Sequence, residues 1–380
     1  MTIYILSLFF IMLAGIALKP NRSLKRRKYF IIFSFGLITV ISMLRKYTVG
    51  IDLSDHYYNN FIKYQTWSWD SADNSIYEAG YFYFNKAIAI FSSNPQSIII
   101  VTSVLSFAII GWFIYKNSED VLMSTFLVIA NNMWFMYLNI IRQAIAVSIV
   151  LIGLEFLKNK NLKWKRYVIF LFFVFLATSF HNTAILALLF IAIDKLKFKG
   201  IQLFITVIVT GIIAATYNQI FIIFSKLLGQ HKDYLSLYST TEGYLTPTSI
   251  YGVAFPLGMF ILGYLFIVVI KKNIANRGTS LPDDKSYSIY SNDFLMYACL
   301  ILSILRLFSL RSNIISRVGY YFLPLFYIYV PLVLKNIPDR YLKFLIKSSC
   351  YIFIFVAFIW IGFKSASELY GTVPYEFFWE

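Results

Sequence analysis

The chain has little of what soluble enzymes usually work with. Of its 380 residues only 14% are charged, with 18 acids against 34 Lys and Arg, three histidines and two cysteines. Cys299 and Cys350 both lie in apolar runs, have no partner at metal-ligand spacing, and define neither a metal site nor a redox compartment. A glycine-rich phosphate loop, a Gly-x-Ser-x-Gly elbow and a His-Glu-x-x-His pair are all absent, so soluble nucleotide and metalloprotease chemistry has no foothold. No metal or cofactor is expected. The scarcity of acids leaves a net charge of +16, but the basic residues stand in short clusters between apolar runs. That arrangement suits orienting signals on a membrane protein and excludes nucleic acid as a partner.

What the chain has in abundance is apolar sequence. Hydrophobic residues make up 59% of it and the mean hydropathy is +0.68, spread along the whole length. This composition predicts an all-α polytopic membrane protein, a single membrane domain over 1–380. Apolar runs predict about 12 crossings, at 2–18, 29–44, 96–115, 121–138, 140–157, 167–180, 182–194, 201–222, 250–270, 294–310, 318–334 and 344–362. The sixth and seventh are short enough to turn back inside the bilayer, and 82–91 is a candidate interfacial or re-entrant helix. The first run precedes its basic cluster, which predicts a retained helix rather than a cleaved leader.

Lys19 to Lys28, Lys158 to Arg166, Lys195 to Lys199, Lys271 to Lys285 and Lys335 to Lys347 fall on one face if the spans alternate, which predicts that face to be cytoplasmic and both termini to be external. The external side then holds the 45–95 and 223–249 loops, where Asp52, Asp55, Asp70, Asp73, Glu78, Asp233 and Glu242 are interleaved with Tyr and Trp. Such a mixture suits either an aromatic belt or a surface that binds sugars.

Arg142, in Asn139-Ile140-Ile141-Arg142-Gln143-Ala144, breaks an otherwise apolar stretch and lies about one turn below the external surface. A cation there needs an acid or a ligand to answer it. Arg45, Arg306, Arg311, Arg317 and His181 share that level, with few acids to neutralise them. Guanidinium groups in surplus at headgroup depth match a diphosphate, which makes a lipid phosphate the expected partner of Arg142 ahead of Glu78 or Asp52. Snorkelling arginines, a structural histidine at a turn, and Asp52 and Asp55 as helix caps are the plainer readings of the same residues.

Taken in order, Arg45, Gly50-Ile51-Asp52, Tyr57-Tyr58, Glu78-Ala79-Gly80-Tyr81, Asn85, Ile141-Arg142-Gln143, Ala146 and Phe180-His181-Asn182-Thr183-Ala184 resemble the EpsG-like, Wzy-type bacterial polysaccharide polymerases. Arg317 and Tyr320-Tyr321 extend the resemblance into the second half. It implies a membrane domain related to the GT-C glycosyltransferases, and an enzyme at the outer face of the bacterial inner membrane. That enzyme joins undecaprenyl-diphosphate-linked repeat units, as donor and acceptor, into O-antigen, capsule or exopolysaccharide. A chain-length regulator, a flippase and membrane lipid are the implied partners. Arg142, Arg317 and Arg45 are candidates for stabilising the leaving diphosphate, and Asp52, Asp55, Glu78 or His181 for accepting the acceptor's proton. Arg311, Gln143, Tyr57, Tyr58, Tyr81 and Tyr320 are candidates for holding diphosphate and glycan.

Two other classes fit in part. A flippase or transporter for lipid-linked sugars would place its polar groups near the midplane and show repeats, neither of which is evident. A membrane O-acyltransferase or an O-antigen ligase would also use a membrane histidine.

Overall fold

A computed structural model describes residues 1–197, 208, 212, 247–270, 290–310 and 313–380. The expected span at 201–222 and the loop that follows it lie almost wholly outside these residues, as does Arg311. Among the described residues the secondary structure is helical, and the chain is an α-helical membrane protein. Eleven of the twelve expected apolar runs coincide with helical segments, and α4 (Ala79–Phe91) occupies the expected extra helix. Among the described residues, however, Thr2–Arg22, Gln96–Asn117, Ile250–Val269, Asn292–Ser309 and Arg340–Trp360 are the helices long and apolar enough to be candidate spans, with one bent pair as a sixth. The others are shortened or charged: α2 (Leu24–Met43) opens on Lys25-Arg26-Arg27-Lys28, and α8 (Ile141–Lys158) carries Arg142, Glu155 and Lys158.

The described chain forms two compact units, one from Met1–Ile185 and Ile337–Glu380 and the other from within Leu186–Lys285 and Tyr290–Asn336. In the first unit α2 packs on α5 (Gln96–Asn117), α5 on α8, and α8 on α9 (Lys165–Thr178), while α1 (Thr2–Leu18) meets α2 and α6 (Val121–Ala130). Along α1, Tyr4, Leu8 and Ile11 are buried, whereas Leu6, Phe9, Phe10, Leu13 and Ile16 face outward. An apolar outer face of this length is what lipid contact requires. Asp120 starts α6 by accepting from the N–H groups of Leu122 and Met123, at 3.1 and 3.2 Å. Arg27, from the first basic cluster, is buried and donates to the carbonyls of Tyr115, Ile114 and Ser118 at the end of α5. A cation there complements the negative end of the helix.

Two features aim the segment that leaves α2. First, α6 and α7 (Met133–Asn139) form one apolar stretch bent by 52°, with left-handed Asn132 at the break, so α7 ends beside the start of α8. Second, the C-terminal tail lies along residues 44–51. Phe378 N–H donates to Leu44 O (2.9 Å), Lys46 N–H to Glu376 O (2.9 Å), Gly50 N–H to Gly371 O (2.8 Å) and Ile51 N–H to Tyr370 O (3.1 Å). The exposed Glu376 carboxylate also accepts from Thr48 and pairs with Lys46 at 3.3 Å, which together hold its pKa below the usual value. The 45–95 segment is therefore a tethered subdomain containing α3 (Tyr58–Thr66) and α4, not an open loop.

In the second unit, α10 (Leu189–Lys195) and α11 (Pro247–Gly263) pack on α12 (Asn292–Ser309), which also meets α13 (Asn313–Gly319) and α14 (Leu323–Lys335).

Candidate functional site

The site begins at a backbone discontinuity. Ile140 leaves helical geometry between α7 and α8, so Arg142 sits in the first turn of a new helix. A cation at that end opposes the helix dipole, and its position there does not serve helix stability. The compensation comes from Glu78, the residue that starts α4: one carboxylate oxygen is ion-paired with Arg142 Nη1, and the other accepts from Asn182 N–H at 2.9 Å. Both side chains are largely withdrawn from solvent, 13% and 14% exposed. A pair this buried has given up much of its hydration, and stranding either partner is expensive.

Three tyrosines surround the guanidinium. Its carbon lies 3.9 Å from the ring centroid of Tyr77, 5.7 Å from Tyr57 and 5.9 Å from Tyr81, and Nε is 3.5 Å from the Tyr57 hydroxyl. The rings lie 5.7 Å from one another in tilted or edge contacts, which makes the sleeve self-supporting. Tyr57 and Tyr81 are buried with Leu53, Phe61, Ile98 and Ile141 in one apolar cluster. Burial, then the neighbouring Tyr57 phenol, pushes the Tyr77 pKa up; Arg142 opposes the rise, and Asp52 adds to it.

Asp52 is delivered to this place by Asn139, whose buried Oδ1 accepts the Asp52 N–H at 2.8 Å. Gly50 makes that approach possible: its φ is +123°, and a Cβ would stand 3.0 Å from Leu138 O and 3.4 Å from Asn139 Cα. On the other side of the sleeve the α9–α10 turn docks on the start of α4. Tyr81 N–H donates to Ser179 O at 3.2 Å, Gly80 lies so close to Ser179 that a Cβ would collide with it, and Phe84 meets Phe180 edge-on at 5.7 Å. His181 is buried in this turn, with Nδ1 2.7 Å from Thr183 Oγ1.

Residues 28–377 match one protein family, a stretch that contains every element of this arrangement. The chain belongs to the EpsG family. No curated protein and no solved structure matches it. The EpsG-family chain thus gathers Glu78, Arg142, Tyr57, Tyr77 and Tyr81 around one point, with the His181 turn tied to Glu78 by Asn182.

The remaining candidates are placed differently. Arg45 is fully buried and donates to the carbonyls of Ser42 and Leu138 and to Ser103 Oγ at 3.0 Å, so its guanidinium fastens the 45–52 segment to the end of α7. Tyr58 stacks on Tyr47 at 4.5 Å, outside the sleeve. Gln143 is buried beside Arg142, and Asp55 lies in the helical turn Leu53–Tyr57 that leads into α3. In the second unit the partly buried Arg317 shares α13 and its exit with Tyr320, whose ring lies 5.4 Å from the Arg306 guanidinium carbon. Among the described residues, no group of three His, Cys, Asp or Glu side chains is gathered to hold a metal. The sequence pattern assigns no role to Tyr77, Asn139 or Asn182, although Asn139 and Asn182 stand in the stretches around Arg142 and His181. Tyr77 adjoins Glu78, Asn139 lies three residues before Arg142 and Asn182 follows His181, so closeness in sequence to a candidate residue was the signal that pointed to each.

Proposed function

We propose that the chain is a polymerase that joins undecaprenyl-diphosphate-linked oligosaccharide units at the outer face of the inner membrane. Membership of the EpsG family supports a polysaccharide-polymerase type of role. The observation that carries the assignment of the site is the Arg142–Glu78 pair in its tyrosine sleeve. In this reading the chain crosses the membrane about twelve times, and the 45–95 subdomain faces outward with its acids and aromatics.

The reaction breaks the bond between the anomeric carbon of the growing glycan and its lipid diphosphate, while the acceptor hydroxyl of the incoming unit forms a new bond to that carbon. Negative charge grows on the departing phosphate oxygen. Arg142 stabilises it because its guanidinium is already positioned and largely desolvated, so little reorganisation is needed as the charge develops. Glu78 keeps the fork aimed in the resting enzyme and yields it as the diphosphate arrives. The acceptor's proton passes to a carboxylate, Asp52, Asp55 or the released Glu78, or to His181. Arg45 positions the acid-bearing segment rather than touching phosphate. Arg311 and Arg317 stay candidates for holding diphosphate, and Gln143, Tyr57, Tyr58, Tyr81 and Tyr320 for holding glycan.

Lipid analysis of cells tests this against the rival classes. A strain whose only copy carries Arg142→Ala is expected to accumulate single repeat units on the carrier or capped onto the lipid core. Long carrier-linked polymer would indicate a ligase instead, and a change in modification mass alone an acyltransferase.

A further inference from the structure

On the α4 face turned away from Arg142 stands a second aromatic arrangement. Tyr83 follows Tyr81 by two residues, about 200° around the helix, and points outward where Tyr81 points in. The Trp69 indole lies parallel to the Tyr83 ring, at 13° and 6.2 Å between centroids. Lys86, one turn further along α4, places its ammonium 5.4 Å from the centre of the same indole. Lys86 is itself buried, and donates to Trp67 O at 2.5 Å and Gln65 O at 3.4 Å, which fixes the segment that carries Trp69. Tyr83 and Lys86 both reach the indole from α4. Trp69 remains 48% exposed and Tyr83 43%.

The rim of this platform decides what it suits. From Thr66 to Glu78 the chain has no Lys or Arg, and Asp70 and Asp73 are exposed on the short helical turn that carries Trp69, with exposed Ser68 and Asn74 at its two ends. Aromatic residues seated in an anionic lipid surface are usually accompanied by basic neighbours, whereas two exposed carboxylates repel that surface. A flat indole bordered by carboxylate, amide and hydroxyl groups suits a ligand with one apolar face and hydroxyls around its edge. A pyranose ring has that form: its axial C–H face lies on the ring, and its hydroxyls donate to the acids.

We propose that Trp69, backed by Tyr83 and Lys86 and edged by Asp70 and Asp73, is a pyranose-stacking subsite for the polysaccharide, separate from the Arg142 centre. The inference rests on the polymerase reading for the source of its ligand. Because the platform and the tyrosine sleeve lie on opposite faces of α4, the sugar on Trp69 belongs to a part of the glycan remote from the reacting bond. Holding it retains the polymer between transfers, and so favours long products.

The probe is the polysaccharide made by the expressing strain, released from its lipid by mild acid and sized. Purified full-length protein in nanodiscs is treated with N-bromosuccinimide, and oxidation of the Trp69 peptide is read by mass spectrometry, with the glycan or with phosphatidylglycerol vesicles added. The glycan is expected to protect Trp69 at least several-fold, and the vesicles are not. Trp69→Ala, with membrane abundance and melting temperature equal to the parent, is expected to shift the product ladder to shorter chains, and Trp69→Phe to restore much of the length. Absence of glycan protection, protection by vesicles alone, or an unchanged Trp69→Ala ladder overturns the subsite. Failure of the polymerase reading has a different signature, because it would show as an Arg142→Ala protein that still polymerises.

Discussion

Glu78 answers Arg142 across 64 residues of sequence: one of its carboxylate oxygens meets the guanidinium, while the other holds the backbone of the Asn182 turn. The pair therefore links α8, α4 and the α9–α10 turn at one point, and its disruption has two separable effects, on stability and on chemistry.

The stability effect is expected to be asymmetric. Glu78→Ala leaves a largely buried guanidinium without its acid, a loss of about 3–5 kcal/mol. Removing both partners in Glu78→Ala/Arg142→Ala is expected to recover part of that loss, because no charge is then stranded. Melting in detergent checks this, and a double variant less stable than Glu78→Ala alone would contradict the pair's account.

For chemistry, Arg142→Ala is expected to lower turnover by about 10²–10³-fold, the scale of losing one preorganised stabiliser of developing negative charge. Arg142→Lys keeps the charge but loses the fork, and is expected to fall between. Turnover on lipid-linked repeat units, normalised to folded protein, makes the comparison.

Asn139 acts through Asp52, whose N–H it accepts at 2.8 Å. Asn139→Ala is expected to reduce kcat roughly 10–100-fold with donor KM little changed, since a misplacement of about an ångström is enough for that. Combined with Asp52→Asn, it is expected to add little further loss. Full additivity would show that Asn139 does not work through Asp52.

Gly50 supports the same placement. At φ +123°, with Leu138 O close to where a Cβ would be, Gly50→Ala is expected to cost about 1–3 kcal/mol. It should also reproduce the kinetic defect of Asn139→Ala, which a comparison of kcat at matched folded fraction would reveal.

Tyr77 gives a prediction in pH. Its hydroxyl is raised above the ordinary phenol value of about 10, chiefly by burial, so it stays neutral through the working range. A phenol raised in the folded state contributes fully below the unfolded pKa, and its contribution is lost as pH rises beyond it. Tyr77→Phe is therefore expected to leave the pH–rate profile unchanged and to soften the fall in melting temperature above about pH 10. Tyr77→Leu, lacking the ring, is expected to weaken the hold on Arg142 by about 0.5–2 kcal/mol.

How much of this was legible in the sequence depended on the kind of signal. Long apolar runs mark helices because their cause is local composition, and the ordered set from Arg45 to Ala184 was enough to point to the EpsG family. The Arg142 charge was legible too, as a cation too costly to be accidental. Its partner in the structure is Glu78, where the sequence alone favours a lipid phosphate. Nor does charge pattern distinguish Arg45, whose guanidinium goes to carbonyls at the end of α7, from Arg142, whose guanidinium meets an acid. That distinction depends on which chain segments approach each other, through a 52° bend and a tail from the far end of the chain. The role of Asn139 was hidden for the same reason, since an amide accepting one backbone N–H leaves no mark on periodicity.

The central claim is that the Arg142–Glu78 site joins lipid-diphosphate-linked sugars, and the most direct test is a single assay. Purified protein in nanodiscs is incubated with the strain's own lipid-diphosphate-linked repeat unit, and the products are resolved by size beside those of Arg142→Ala protein of equal folded fraction. The account predicts a ladder of products one repeat unit apart from the parent and none from the variant. A folded parent protein that forms no ladder from the correct unit, or an Arg142→Ala protein that forms the same ladder, would contradict it.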